Sequence, residues 1–187
     1  MVFIAITGRP GVGKSTVFFK VIDSLKSCGV KICGFYCPEV REGGRRIGFR
    51  IVDIVTGSSG WLALSLDKVD REKLGQYKRR VGRYVVVEDQ ACKIGIEALD
   101  RCIEADLVAI DELGPMELSL EALRKRIIEV LSSAKNALLV VHRNLRDREI
   151  LRVLNSKETR LYTVTEANRS QLPTTILSQL SMLCRVI

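Results

Sequence analysis

The chain has 187 residues, of which 47% are hydrophobic, 28% charged and 5% aromatic, with only 4 Pro. That composition excludes a disordered, collagen-like or low-complexity chain, and the length fits one domain over residues 1–187 with a substantial core. Lys and Arg number 30 against 22 Asp and Glu, and the net charge of +8 suits polyanionic partners.

Val2–Thr7 is an apolar run that reads as a buried strand. The N-terminal run Met1–Thr7 lacks the basic leader and apolar length of a signal peptide, and no run in the chain approaches the roughly 18 residues of a membrane span. A soluble cytoplasmic protein with no membrane partner is expected. The strand leads directly into Gly8-Arg9-Pro10-Gly11-Val12-Gly13-Lys14-Ser15, followed by Thr16, which satisfies G-x-x-x-x-G-K-[ST] without a mismatch. A helix is predicted over Lys14–Cys28, stopped by Gly29. Strand, glycine loop and helix form a triphosphate cradle, because glycines let backbone N–H groups converge on phosphate oxygens and the helix start adds its positive dipole end. Lys14 is expected to reach the β- and γ-phosphates, and the Ser15 hydroxyl to ligate Mg²⁺.

Lys31–Cys37 is the second predicted strand, with Cys33, Phe35 and Cys37 on one buried face. Glu39–Arg41 and Arg46–Ile54 flank Gly43-Gly44 as a hairpin, and Trp61–Leu66 extends this β-rich insertion. Asp67–Arg80 is charged, and helical or irregular; Val81–Val87 is a further strand. Asp89 is expected to cap a helix reaching Glu104. Leu107–Ile110 is a buried strand that delivers Asp111-Glu112 to its C-terminal edge, where ligands bind in open α/β sheets. Asp111 is placed to hold the Mg²⁺ shell with Ser15, and Glu112 to orient and deprotonate an attacking water. A kinase needs an acid there as well.

Ser119 is the expected N-cap of Leu120–Ser132. Ala137–Val141 is a strand ending in His142-Arg143, where Arg143 is a candidate in-cis stabiliser of transition-state charge. His142 is either a phosphate sensor or a half-buried structural imidazole. Arg9, Arg45 and Arg46 are rival charge stabilisers, the hairpin pair reading first as solvated. A basic helix Asp147–Leu154, a last strand Arg160–Val164, a cap at Thr165 and an amphipathic segment Thr175–Ile187 complete the chain. Short apolar runs alternating with amphipathic stretches describe an α/β domain with a largely parallel sheet.

The basic patches, Arg41 to Arg46, Lys78 to Arg83 and Arg143 to Arg152, read first as solvated faces. Weak nucleic-acid binding is the alternative, and few aromatics accompany these charges to stack on bases. The six cysteines contain no C-x-x-C pair and His142 is the sole histidine, so free, core-filling thiols in a reducing cytosol are expected rather than a zinc site.

The phosphate-loop motif, together with Gly34-Phe35-Tyr36, Glu39–Phe49, Val81-Gly82-Arg83-Tyr84, Asp111-Glu112-Leu113-Gly114-Pro115-Met116-Glu117-Leu118, Val141-His142-Arg143 and Thr165-x-x-Asn168-Arg169, resembles the THEP-type nucleoside-triphosphatases over nearly the whole chain. One departure is Val87, where relatives tend to carry an acid. The resemblance implies a P-loop NTPase fold with a RecA-like, mostly parallel sheet flanked by helices and a β-hairpin insertion. It further implies that the His142 strand lies between the phosphate-loop strand and the Asp111 strand. Implied too is Mg²⁺-dependent hydrolysis of ATP, GTP, CTP and UTP to diphosphate and phosphate. Asn168 and Arg169, past the last strand, are candidate base or ribose contacts, although an Asn near a helix start is also an ordinary cap. Glu117 either meets a second substrate or positions Glu112. A monomer is expected. The alternatives are a small-molecule or polynucleotide kinase, or a nucleic-acid-associated switch; a two-lobed helicase is excluded by length.

Overall fold

The computed structural model describes residues 1–184, with residues 71, 73 and 74 described through their backbone alone. Its centre is a parallel set of strands: β1 (Val2–Gly8), β2 (Ile32–Tyr36), β8 (Leu107–Leu113), β9 (Asn136–Val141) and β10 (Arg160–Val164), ordered β10-β1-β9-β8-β2. Ile4 of β1 aligns with Leu138 of β9, and Ala109 of β8 aligns with the same residue. The His142 strand therefore lies between the phosphate-loop strand and the Asp111 strand, as the resemblance implied.

Side-chain alternation divides these strands between two cores. On one face Ile4, Ile6, Leu107, Ala109, Leu138 and Val140 pack with Val17, Phe18, Val21 and Leu25 of α1 (Lys14–Ser27) and Ile176 and Leu180 of α6 (Leu172–Leu180). On the other, Phe3, Ala5, Val108, Ile110 and Leu139 meet α2 (Glu88–Asp100), α4 (Glu121–Ser133) and α5 (Arg148–Ser156). Strands buried on both faces explain the continuous apolar runs of the sequence. Among the described residues no helix is long and apolar enough to cross a membrane.

The hairpin insertion is larger than expected. β3 (Glu39–Glu42), β4 (Arg45–Asp53), β5 (Ser59–Ser65), β6 (Arg80–Val81) and β7 (Tyr84–Val86) continue the sheet beyond β2 as antiparallel strands. The strand expected at Val81–Val87 is instead a hairpin, β6 to β7, turning at Gly82 with φ 57°. Asp89 is not a cap: α2 starts at Glu88, and Asp89 sits in its first turn, where its charge complements the helix dipole. Ser119 is not the cap of α4 either. It ends a short helix, α3 (Pro115–Leu118), and its hydroxyl donates to the Met116 carbonyl 2.7 Å away, while Leu120 holds the N-cap position. Asp147, expected as the first helical residue, is the N-cap of α5, accepting from the Glu149 and Ile150 amides. The expected segment Thr175–Ile187 starts earlier, as α6, and residues 185–187 lie outside the described residues. The expectation of free thiols is corrected at two positions, since Cys33 of β2 and Cys102, in the turn after α2, are joined as a disulfide.

Candidate active site

β1 delivers the glycine loop at its C-terminal end. A Cβ on Gly8 would sit 2.8 Å from the Val164 carbonyl oxygen, so only glycine lets the loop begin this close to β10. Gly13 is left-handed at φ 109° and is the N-cap of α1, with no side chain accepting from the first-turn amides. Those donors, with the positive end of the helix, are open to an anion. Lys14 is nearly buried at 11% exposure; its Nζ lies 3.4 Å from the Gly8 carbonyl oxygen and 3.9 Å from Glu112 Oε2.

β8 brings the acids to the same place. Asp111, 7% exposed, accepts a hydrogen bond from the Ser15 hydroxyl. Burial pushes its carboxyl up to about 6; the Ser15 hydroxyl and Lys14 oppose that rise, and the neighbouring Glu112 adds to it. Glu112 is also raised by burial against the pull of Lys14. Hydroxyl and carboxylate are hard oxygen donors of the kind Mg²⁺ takes, and a carboxylate short of positive charge is suited to a cation. Among the described residues there is no cluster of three or more His, Cys, Asp or Glu arranged for a metal.

Beneath Glu112 lies Glu117, 5% exposed, whose Oε2 accepts the Gly114 N–H at 3.2 Å. Burial pushes Glu117 up to about 8, with Glu112 and Asp111 reinforcing the rise and hydrogen bonds from its own amide and the Cys37 thiol opposing it. Cys37 in turn is raised by burial and by Glu117 and Asp111, with a hydrogen bond to the Glu112 backbone opposing the rise. At the end of β9, His142 is lowered by desolvation and by nearby Lys14 and Arg143, which disfavours its charged form, and its Nδ1 accepts the Asn144 N–H at 3.2 Å.

These groups share a cleft of about 720 Å³. Of the residues expected at the site, Gly8, Pro10, Gly11, Gly13, Lys14, Ser15, Thr16, Asp111, Glu112 and Arg143 line it. Arg9 is exposed outside it, and Val12 packs on the α1 core. Asn168 has its amide engaged in the turn after β10: Oδ1 accepts from Thr165 N–H at 2.9 Å and Nδ2 donates to the Thr163 carbonyl at 2.9 Å. Arg169 extends over the loop, its Cδ 3.6 Å from where a Gly13 Cβ would stand.

The NTPase family's sequence profile matches residues 3–177. The chain belongs to that family. This NTPase is 48% identical over 152 residues to the nucleoside-triphosphatase THEP1 of Ignicoccus hospitalis, covering 81% of this chain and 82% of that one. It is 39% identical to the nucleoside-triphosphatase THEP1 of Saccharolobus solfataricus, over 94% and 90% of the two chains. Its fold matches a human cancer-related nucleoside triphosphatase in solution at TM-score 0.78 and 30% identity, covering 97% and 98%. THEP1 from the hyperthermophile Aquifex aeolicus matches at TM-score 0.75 and 28% identity, covering 96% and 99%. The chain is a nucleoside-triphosphatase with a P-loop NTPase fold.

Sequence reasoning missed the far wall of this NTPase's cleft. Phe19 and Tyr36, edge to face at 4.9 Å, line it with Phe49, Arg41 and Arg46. Arg46 was expected to be solvated, yet its Nε donates to Glu39 at 2.6 Å and Arg41 pairs with the same carboxylate. Arg45, by contrast, is exposed outside the cleft. The signal was available: the Glu39–Phe49 run belongs to the resemblance, but a hairpin's alternation does not say that one of its faces closes over a neighbouring loop.

Proposed function

We propose that this NTPase hydrolyses nucleoside 5′-triphosphates, ATP, GTP, CTP and UTP, to the diphosphate and phosphate, with Mg²⁺ as cofactor, as a monomeric, single-domain cytoplasmic enzyme over residues 1–187. The observation that carries the reading is the convergence of Lys14, Ser15, Asp111 and Glu112 on one cleft. Loop amides and Lys14 bind the phosphates; Ser15 and Asp111 hold the Mg²⁺, which when bound neutralises phosphate charge. Glu112 accepts a proton from water as the water oxygen attacks the γ-phosphorus and the bond to the β–γ bridging oxygen breaks. Arg143, at the edge of the cleft, stabilises the charge that develops on the phosphoryl oxygens. Arg169, over the loop at Gly13, would reach a bound nucleotide, and Asn168 holds the turn that presents it. Backbone amides and Lys14 read phosphates rather than bases, which supports several triphosphates as substrates.

A second reading, phosphoryl transfer to a small alcohol, is favoured by the aromatic and arginine wall beyond Glu112, which a water molecule does not need. Phosphate release from each triphosphate, with Mg²⁺ and no acceptor, tests the first reading. Release abolished by EDTA and by Lys14→Ala supports it. Tight binding without release refutes it and favours transfer.

A further inference from the structure

The chain has one histidine, and it stands where three functional elements meet. β9 lies between β1, which carries the phosphate loop, and β8, which carries Asp111 and Glu112; His142 directly follows its last residue, Val141. The His142 N–H donates to the Leu113 carbonyl at 3.1 Å, which ties His142 to the strand end one position past Glu112. Its own carbonyl accepts from the Leu145 N–H at 2.9 Å, closing a turn, and within that turn Asn144 donates its N–H to Nδ1 at 3.2 Å. The turn runs on to Asp147, which Arg124 holds through hydrogen bonds of 2.6 and 3.0 Å. The imidazole is half-buried and lines the cleft together with Lys14, Glu112 and Arg143.

That geometry fixes the proton. A ring nitrogen that accepts carries no hydrogen, so the ring is neutral and bears its N–H at Nε2; an imidazolium donates from both nitrogens and could not accept the Asn144 amide. Nδ1 is therefore committed to the turn, while among the described residues Nε2 has no hydrogen-bond partner. We infer, on the reading of this site as a triphosphatase, that His142 distinguishes triphosphate from diphosphate, its neutral imidazole donating Nε2–H to an oxygen of the γ-phosphoryl group. Loop amides enclose the inner phosphates, whereas His142 sits beside Glu112, whose water attacks the γ-phosphorus. A neutral donor suits that place, since Lys14 and Arg143 already bring two positive charges to the cleft. Burial and those two charges disfavour the imidazolium, in agreement with the hydrogen-bond pattern. A diphosphate presents no oxygen at that position, so the bond forms with the substrate and not with the nucleotide product.

With a single histidine in the chain, one imidazole answers the test. In the tag-free protein carrying isotope-labelled histidine, nitrogen NMR at neutral pH is expected to show the Nε2–H tautomer; the Nδ1–H tautomer or an imidazolium overturns the inference. Titration calorimetry with Mg²⁺ then compares the β,γ-imido analogue of ATP with ADP across three variants. His142→Ala is expected to weaken binding of the analogue by about 10- to 100-fold, the worth of a hydrogen bond to a charged acceptor, and to leave ADP within about twofold. His142→Gln sets an amide N–H where Nε2 stood and restores most of that loss. His142→Asn replaces Nδ1 alone, its Oδ1 accepting the Asn144 N–H, and behaves as His142→Ala does. Rescue by Asn and not by Gln makes the imidazole a turn former only; equal losses for analogue and ADP mean a damaged loop; unchanged binding in His142→Ala means no contact. Each of these three results overturns the inference. Phosphate release by the wild type is measured alongside: analogue affinity that depends on His142, without release, refutes the triphosphatase reading and leaves the γ-phosphoryl contact standing.

Discussion

Replacing Glu112 with Gln separates binding from turnover. Glutamine keeps the shape of a side chain that is 28% exposed, so the cleft is preserved, but it cannot take a proton and carries no charge. Two effects then act in opposite directions. Loss of the base removes general-base assistance, typically a factor of about 10²–10⁴ in rate, or about 3–5 kcal/mol of barrier. Loss of the carboxylate 3.9 Å from Lys14 Nζ removes an attraction of about 4 kcal/mol at an effective dielectric of 20. Most of that is returned by solvation of the two partly exposed groups. Lys14 is left free for phosphate, and ATP is expected to bind as tightly as to the wild type or up to about tenfold tighter. Titration calorimetry gives the affinity and single-turnover phosphate release gives the rate. A Glu112→Gln enzyme that hydrolyses ATP within about fivefold of wild type would show that Glu112 is not the base. A large loss of affinity would show that its charge organises the loop rather than the chemistry.

Glu117 is raised to about 8 from the usual 4.5, so the folded state holds a proton that the unfolded chain has lost; stability is full below about pH 4.5 and declines up to about pH 8. The decline is of order 4 kcal/mol, read as a fall of several degrees in the midpoint between pH 5 and 8, and Glu117→Gln is expected to flatten it; an unchanged slope in that variant would assign the effect elsewhere. Asp147 caps α5 and accepts from Arg124 Nε at 2.6 Å, which with burial opposing holds its carboxyl low. Asp147→Ala is expected to lower stability by about 2 kcal/mol in urea unfolding, and Asp147→Asn, which retains the cap, by about half as much. At Gly34, φ is 113° and a Cβ would stand 2.0 Å from the Ala109 carbonyl oxygen. Gly34→Ala therefore pushes β2 off β8, and circular dichroism should find the variant unfolded or its midpoint lower by more than 10 °C.

Much of the parallel core was legible because β1, β2, β8 and β9 are buried on both faces, leaving apolar runs such as Val2–Ile6 and Leu107–Ile110. The phosphate loop and the acids near the end of β8 were legible because their chemistry demands residue types at adjacent positions. What escaped depends on neighbours remote in sequence. Cys33 and Cys102 meet only because the turn after α2 comes back over β2, a separation of 69 residues that no spacing rule encodes. α3 was hidden behind Gly114-Pro115, which has the composition of a loop although Pro suits the first turn of a helix. Asn168 shows the limit of type alone: the amide that suits a base also suits a turn, and here both of its ends close the turn.

The position of β1 in the sheet also constrains the order of assembly. Its two neighbours, β9 and β10, begin at Asn136 and Arg160, whereas β2, the antiparallel strands and β8 pair among themselves between residues 32 and 113. A nascent chain that has emerged only as far as residue 135 holds β1 with neither edge paired, and the glycine loop hangs from an unanchored strand. β1, which precedes the other strands of this sheet in the chain, thus pairs after them, through the contacts of widest sequence separation, which close slowly. Ribosome-held chains of increasing length should gain nucleotide affinity abruptly once β9 and β10 are both free to fold, rather than in proportion to the length made.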